Sequence, residues 1–238
     1  MNVQIFADGS NKSEIFDLYE NNSIVTGFTT NPTLMKQAGV ENYETFAKNV
    51  ISHLSYRRPE TCLSLEVFAD DDQGMYNQAK IIHSWSPDYT VYVKIPVMNT
   101  AGVPNYDLIN KLSHEGLSLN VTAVFTFEQV KEVYKQLDPK SKSIISIFAG
   151  RIADAGYDPA DVVYKSVLIK DTANVEFLWA SSREAYNYVQ AQKAGCDIIT
   201  MTPDLIKKVE KFGKDLNEFS LETCKMFYKD AVASGYRI

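Results

Sequence analysis

Eight short runs of β-branched or apolar residues, separated by segments with helical spacing, constrain this chain more than any other feature. The runs cover residues 3–7, 24–28, 62–68, 91–95, 117–124, 144–148, 175–179 and 197–201. Runs of this length and composition predict buried strands. Residues 74–85, 106–115, 127–137, 159–169, 182–194 and 205–212 repeat apolar side chains at helical intervals. Start signals precede three of them: Thr126, Asp158-Pro159 and Thr202-Pro203. Strands that alternate with helices pair in parallel through right-handed crossovers. Eight such units in 238 residues predict an α/β fold closed into a (β/α)8 TIM barrel, one domain over residues 1–238. No Gly-x-Gly-x-x-Gly follows the first run, so an open doubly wound sheet with a dinucleotide site lacks its fingerprint.

Two segments exceed the minimal barrel. Residues 41–54 predict an extra helix after the second strand, beyond a helical turn at 32–37, and residues 215–238 predict a C-terminal helical tail. The tail sets Leu216, Phe219, Met226, Phe227 and Tyr228 among charged residues. Packing of that face on the chain's own barrel is the plain expectation. The functional alternatives are a cover for the barrel mouth or docking on a neighbouring subunit in a homo-oligomer.

Composition excludes several function classes. A net charge of −6 provides no basic stripe for tracking phosphates, so no nucleic-acid partner is expected. No apolar stretch approaches a membrane span, and the chain opens without a signal peptide, which together predict a cytoplasmic protein with no membrane partner. Cys62, Cys196 and Cys224 are odd in number and far apart, which predicts reduced thiols and no zinc site. His53, His83 and His114 fall in helical segments and form no ligand set, and no metal or organic cofactor is expected.

A barrel collects reactive side chains where strands end and the following loops begin. Polar residues gather at those positions here: Asp8, Thr29-Thr30-Asn31-Pro32, Glu66, Lys94, Asn120 with Thr122, Ser146 with Phe148 and Arg151, and Ser181 with Arg183. Lys94 sits near the end of an almost wholly apolar run, residues 89–96, where a buried strand normally carries no charge. An amine held there is partly desolvated, which favours its neutral, nucleophilic form. Each residue also has a plain reading. Lys94 could snorkel into water, Asp8-Gly9 could be a turn, and Asn31-Pro32 could be a helix cap. Glu66 and Lys94 lie on adjacent predicted strands and could form a structural ion pair. Asn120 and Thr122 share one strand face, where a buried asparagine needs partners. Arg151 and Arg183 sit near predicted helix starts, where guanidiniums suit anion capture.

Six segments in register resemble the successive motifs of the transaldolase family: residues 29–34 (TTNPTL), 93–96 (VKIP), 120–122 (NVT), 146–152 (SIFAGRI), 180–183 (ASSR) and 195–203 (GCDIITMTP). The resemblance covers most of the chain. It implies a (β/α)8 class I aldolase fold whose Schiff-base lysine, on the fourth strand, is Lys94. It further implies that Asp8 exchanges a proton with the C4 hydroxyl, and that Glu66 and Thr122 hold the water used in forming and dehydrating the carbinolamine. Thr30, Asn31, Asn120, Ser146 and Phe148 would line the substrate, and Arg151, Ser181 and Arg183 would hold its distal phosphate. The implied reaction transfers dihydroxyacetone from sedoheptulose 7-phosphate or fructose 6-phosphate to glyceraldehyde 3-phosphate or erythrose 4-phosphate, in the pentose phosphate pathway. Glu66 and Phe148 favour transfer, because fructose-6-phosphate aldolases of this family tend to carry glutamine and tyrosine at those places. The chain departs from the family pattern at Gly9-Ser10 and over residues 97–101. Simple aldol cleavage, a sulfonated sugar substrate and a non-catalytic sugar-phosphate-binding barrel are the alternative readings.

Overall fold

The computed structural model describes residues 3–58, 60–86 and 90–237; Tyr89, which opens the apolar run ending at Pro96, lies outside them. The eight runs form eight parallel strands: β1 (Gln4–Asp8), β2 (Val25–Thr29), β3 (Cys62–Glu66), β4 (Val91–Pro96), β5 (Leu119–Val124), β6 (Ser143–Ile147), β7 (Val175–Trp179) and β8 (Ile198–Met201). Each strand pairs with the next, and β8 returns to β1 with Ile5 opposite Ile199, closing the barrel. The (β/α)8 expectation is met.

Eleven helices among the described residues surround the strands or extend from them: α1 (Lys12–Asn21), α2 (Pro32–Gln37), α3 (Tyr43–Leu54), α4 (Asp72–Ser84), α5 (Tyr106–His114), α6 (Phe127–Gln136), α7 (Ala149–Asp154), α8 (Pro159–Leu168), α9 (Asn187–Ala194), α10 (Pro203–Val209) and α11 (Leu216–Ser234). Their starts follow from the local sequence. Asn11 and Asp71 accept from first-turn amides of α1 and α4, Thr126 and Gln129 form a reciprocal capping box on α6, and Pro159 occupies the first position of α8. The extra helix α3 steadies the site end of its neighbour: the Tyr43 hydroxyl donates to the Glu66 carbonyl at 2.8 Å, tying down the end of β3.

Alternation along each strand divides the side chains between two cores. Val25, Leu63, Val93, Val121, Ile145, Phe177 and Ile199 face outward into a continuous apolar shell with helix residues such as Val50, Met75, Ile109, Val130, Val163 and Ile206. Phe6, Cys62, Tyr92, Ile144, Leu178, Ala180 and Ile198 form a separate cluster that fills the barrel interior. The fit is tight at one point. A Cβ on Gly27 would stand 2.6 Å from the Phe6 ring, so β2 gives up a side chain to admit a phenyl group from β1.

Two expectations need correction. Residues 182–194 do not all form a helix: α9 begins at Asn187, whose side-chain oxygen accepts from the amides of Arg183 and Glu184 and holds the preceding residues in a loop. The tail is a helix, but it does not pack back on the barrel. None of the residues of α11 is buried, and Leu216, Phe219, Met226, Phe227 and Tyr228 are all exposed. The face that periodicity assigns to packing has nothing beneath it in the single chain. Among the described residues, no helix is long and apolar enough to cross a membrane.

Gly27→Ala is expected to lower the unfolding free energy by about 1–3 kcal/mol in urea titrations, through overpacking against Phe6. Phe6→Leu in the same chain should recover much of that loss. A Gly27→Ala protein as stable as the parent would refute the contact.

Candidate active site

The carboxyl ends of the strands surround two adjoining cavities of about 110 and 530 Å³. Asp8, Asn31, Lys94, Asn120, Thr122, Ser146, Phe148, Arg151 and Ser181 line the smaller one. Glu66 lines the larger, which also shares Asp8, Lys94 and Arg151. A groove of about 740 Å³ runs between α1 and α3, but its charged residues Lys12, Glu20 and Arg57 are exposed. The barrel mouth instead buries a charged side chain, Lys94, at the carboxyl ends of the strands, so it is the candidate site.

Lys94 is 5% exposed. Register places it opposite Glu66 on β3 and opposite Asn120 on β5. Its amine lies 2.8 Å from the Glu66 carboxylate and donates to the Thr30 carbonyl at 2.7 Å. Burying a lone ammonium costs several kcal/mol, and these two acceptors offset that penalty. Thr30 is fully buried, and its hydroxyl and amide both donate to the Ser64 carbonyl. Its contribution is therefore a backbone oxygen held in place, and its side chain does not line either cavity.

Further hydrogen bonds tie strands together around the mouth, two of them across an intervening strand. Thr29 on β2 donates to Asp8 on β1 at 2.8 Å, and its hydroxyl lies 2.6 Å from that of Thr200 on β8. Asn120 on β5 donates to Ser64 on β3 at 3.1 Å and accepts from Ser146 on β6 at 2.7 Å. The Ser182 hydroxyl, beyond β7, donates to the Thr200 carbonyl on β8. These partners fix the Asn120 amide, which is wholly buried. Asn31 accepts from the Leu34 amide and so caps α2 while it lines the cavity.

The anion-binding candidates differ from one another. Arg151 reaches both cavities. Arg183 lines neither; its guanidinium is held by Asp154 of α7, and that pair is about half exposed. The Asp154 carboxyl is held below its ordinary range by the Arg183 hydrogen bonds, with the Arg151 charge adding to the effect. Gly150 sets the backbone here. A Cβ would stand 1.7 Å from the Ser181 carbonyl, so only glycine allows α7 to touch the loop after β7. Ser181 and Ala123, both at the rim, adopt positive φ values of 64° and 58°, a strained backbone that non-glycine residues seldom adopt. Phe148 stacks on Phe125, with centroids 5.7 Å apart, and forms an apolar wall.

Thr200 and Ser64 join the site without standing out in the sequence. Both carry a signal in strand phase: Ser64 precedes Glu66 by two residues, and Thr200 follows the interior residue Ile198 by two. His53, His83 and His114 lie on α3, α4 and α5.

Fold and cavity together define a barrel protein of the enzymatic type, with its polar groups collected at the carboxyl ends of the strands. The chain belongs to the Transaldolase/Fructose-6-phosphate aldolase family, which matches residues 5–236. It is 33% identical over 201 residues to a probable transaldolase of Dehalococcoides mccartyi, covering 84% of this chain and 86% of that protein. A probable transaldolase of Methanococcus maripaludis is 30% identical over 222 residues, covering 92% and 94%. Probable transaldolase 2 of Listeria monocytogenes is 30% identical over 230 residues, covering 92% and 98%. These likenesses place the chain among aldolase and transaldolase enzymes.

Burial raises the Asp8 carboxyl above its ordinary value of 3.8; Lys94 and the Thr29 hydroxyl pull it back, and Glu66 adds to the rise. The folded protein thus holds a proton that the unfolded chain releases. The stability tied to Asp8 is complete below the ordinary value and is lost as pH rises through the raised one. Asp8→Asn removes that dependence. Urea unfolding of both proteins between about pH 3.5 and 7.5 should show the parent losing ground to the variant as pH rises. A gap that stays constant across this range would contradict it.

Proposed function

We propose that this protein is a transaldolase: a cytoplasmic enzyme that moves a dihydroxyacetone unit between sugar phosphates through a Schiff base on Lys94, as in the pentose phosphate pathway. The observation that carries the reading is the buried Lys94 amine, 2.8 Å from Glu66 and in one cavity with Asp8. A surface protein or a passive binding barrel has no need of a desolvated amine between two carboxylates.

In this reading, Glu66 takes the proton that frees the Lys94 amine, which attacks the C2 carbonyl of the ketose phosphate. The carbinolamine loses water, held by Glu66 and Thr122, and becomes a protonated imine. Asp8 then takes the proton of the C4 hydroxyl, the C3–C4 bond breaks, and its electron pair flows into the imine to leave an enamine. The aldehyde product departs. An acceptor aldehyde is attacked by the enamine carbon, Asp8 returns the proton to the new alkoxide, and water releases the product ketose and the amine. Asn31, Asn120 and Ser146 hold the dihydroxyacetone hydroxyls. Arg151, Ser181 and Arg183 hold the phosphate, with Arg183 leaving Asp154, a half-exposed pair that water screens, for the bound anion. Phe148 favours transfer over simple cleavage, because a phenyl wall supplies no proton to the waiting enamine.

The substrates are sugar phosphates, and the enzyme functions as a homo-oligomer. Supporting the latter, the single chain exposes 13,062 Å², about a fifth more than a folded monomer of 26.8 kDa ordinarily does, and α11 buries none of its residues. Full-length protein in sedimentation should exceed one chain in mass, and a chain ended after Gly213 should lose mass beyond the deleted segment. Equal numbers of chains in both would count against this part of the reading.

Borohydride reduction in the presence of fructose 6-phosphate, followed by mass analysis of peptides, tests the chemistry. A reduced dihydroxyacetone adduct is expected on Lys94, with none in Lys94→Ala. Its absence from the parent protein would remove the Schiff-base reading, and steady release of free dihydroxyacetone without an acceptor would replace transfer with simple cleavage.

A further inference from the structure

The role given to Asp8 demands two states of one buried carboxyl: ionised before the C3–C4 bond breaks, protonated after it. Its surroundings limit how both states are accommodated. Facing it are Lys94 from β4 and Glu66 from β3, and Arg151 of α7 lines the same cavities. Its hydrogen-bond donor is Thr29, on the neighbouring strand and directly in register with it. Thr29 is 3% exposed and Thr200 is 6% exposed, so bulk water does not serve these hydroxyls freely.

Proton counting then fixes the direction of the chain. A hydroxyl carries one proton. The Thr29 proton lies on Asp8, so the 2.6 Å contact between Thr29 and Thr200 is filled by the proton of Thr200. The order is Thr200 to Thr29 to Asp8, anchored from the two strands that flank β1. Thr200 is itself steadied by Ser182, whose hydroxyl donates to its carbonyl at 2.8 Å.

We propose that Thr29 and Thr200 are positioning residues for Asp8: a two-hydroxyl chain that holds one carboxylate oxygen and leaves the other for the substrate hydroxyl. The inference rests on the proton-transfer role proposed for Asp8. The same chain serves both states of the carboxyl. When Asp8 has taken the substrate proton, it donates to Thr29, Thr29 donates to Thr200, and the Thr200 proton turns toward the cavity that this residue lines. No proton is gained or lost in the reversal, and no heavy atom needs to move. Thr29 acts on Asp8 directly, whereas Thr200 acts only through Thr29.

The test is the pH dependence of kcat/KM for dihydroxyacetone transfer in the parent, Thr29→Val, Thr29→Ser, Thr200→Val and the double valine variant. Losing a charge-assisted donor should move the acid limb of Thr29→Val upward by about one pH unit. Thr29→Ser keeps the hydroxyl and should keep the parent limb. Thr200→Val should move it the same way by less, and the double variant should match Thr29→Val, because the second hydroxyl has no route of its own. An unmoved limb in Thr29→Val, or shifts that add in the double variant, would overturn the proposal. If Thr29→Val does not fold, a shift in Thr200→Val that disappears with Thr29→Ser in place would equally overturn it. Asp8→Asn separates this inference from its premise. Normal turnover in that variant removes the role of Asp8 and the chain with it, whereas an inactive Asp8→Asn beside an unmoved Thr29→Val limb removes the hydroxyl chain alone.

Discussion

One buried ion pair constrains the structure more than any other contact: Lys94 on β4 beside Glu66 on β3, directly opposed in register. A charge inside a ring of strands is tolerated only with a partner of opposite sign and its remaining hydrogens placed. Glu66 supplies the charge, and the Thr30 carbonyl takes a second hydrogen. A one-residue slip between β3 and β4 would turn Glu66 to the other face of its strand and leave the ammonium alone. Sheet register and site chemistry are thus one constraint. The apolar plug below, from Phe6 to Ile198, keeps water from the inner side of the pair.

Much of this is legible in the sequence because strand period and burial agree along every run. The run over residues 175–179 has the boundaries of β7, and the other strands differ from their runs by a few residues at the ends. Lys94 and Glu66 stand out because charged residues seldom occupy apolar strands, and Asn120 with Thr122 because two polar residues share one face. Strand phase alone brings these side chains to one cavity once the barrel is closed. The family motifs carry Lys94, Asn120 and Thr122 as well.

What the sequence hides depends on contacts that single-residue patterns do not encode. Threonine and serine are ordinary strand residues, so strand phase alone marks Thr200 and Ser64 until the fold brings their hydroxyls against residues 171 and 56 positions away. The place of Arg183 after Ser181 suggests an anion ligand, and the pattern gives no sign of the carboxylate 29 residues earlier that pairs with its guanidinium. Alpha-helical spacing identifies the tail correctly, yet spacing shows only that a helix has apolar surface, never which surface will cover it. The shorter α9 has a similar origin: Asn187 satisfies two loop amides that the pattern would assign to a helical turn.

The crossing hydrogen bonds at the mouth carry a mechanical consequence. Asp8 is tied to Thr29, Lys94 to Glu66 and Thr30, Asn120 to Ser64 and Ser146, so side chains as well as backbone stitch the strands together there. Prying any one seam apart costs a buried polar group one of its hydrogen bonds, which makes the rim resist partial opening. The end that carries the site is therefore braced like a hoop.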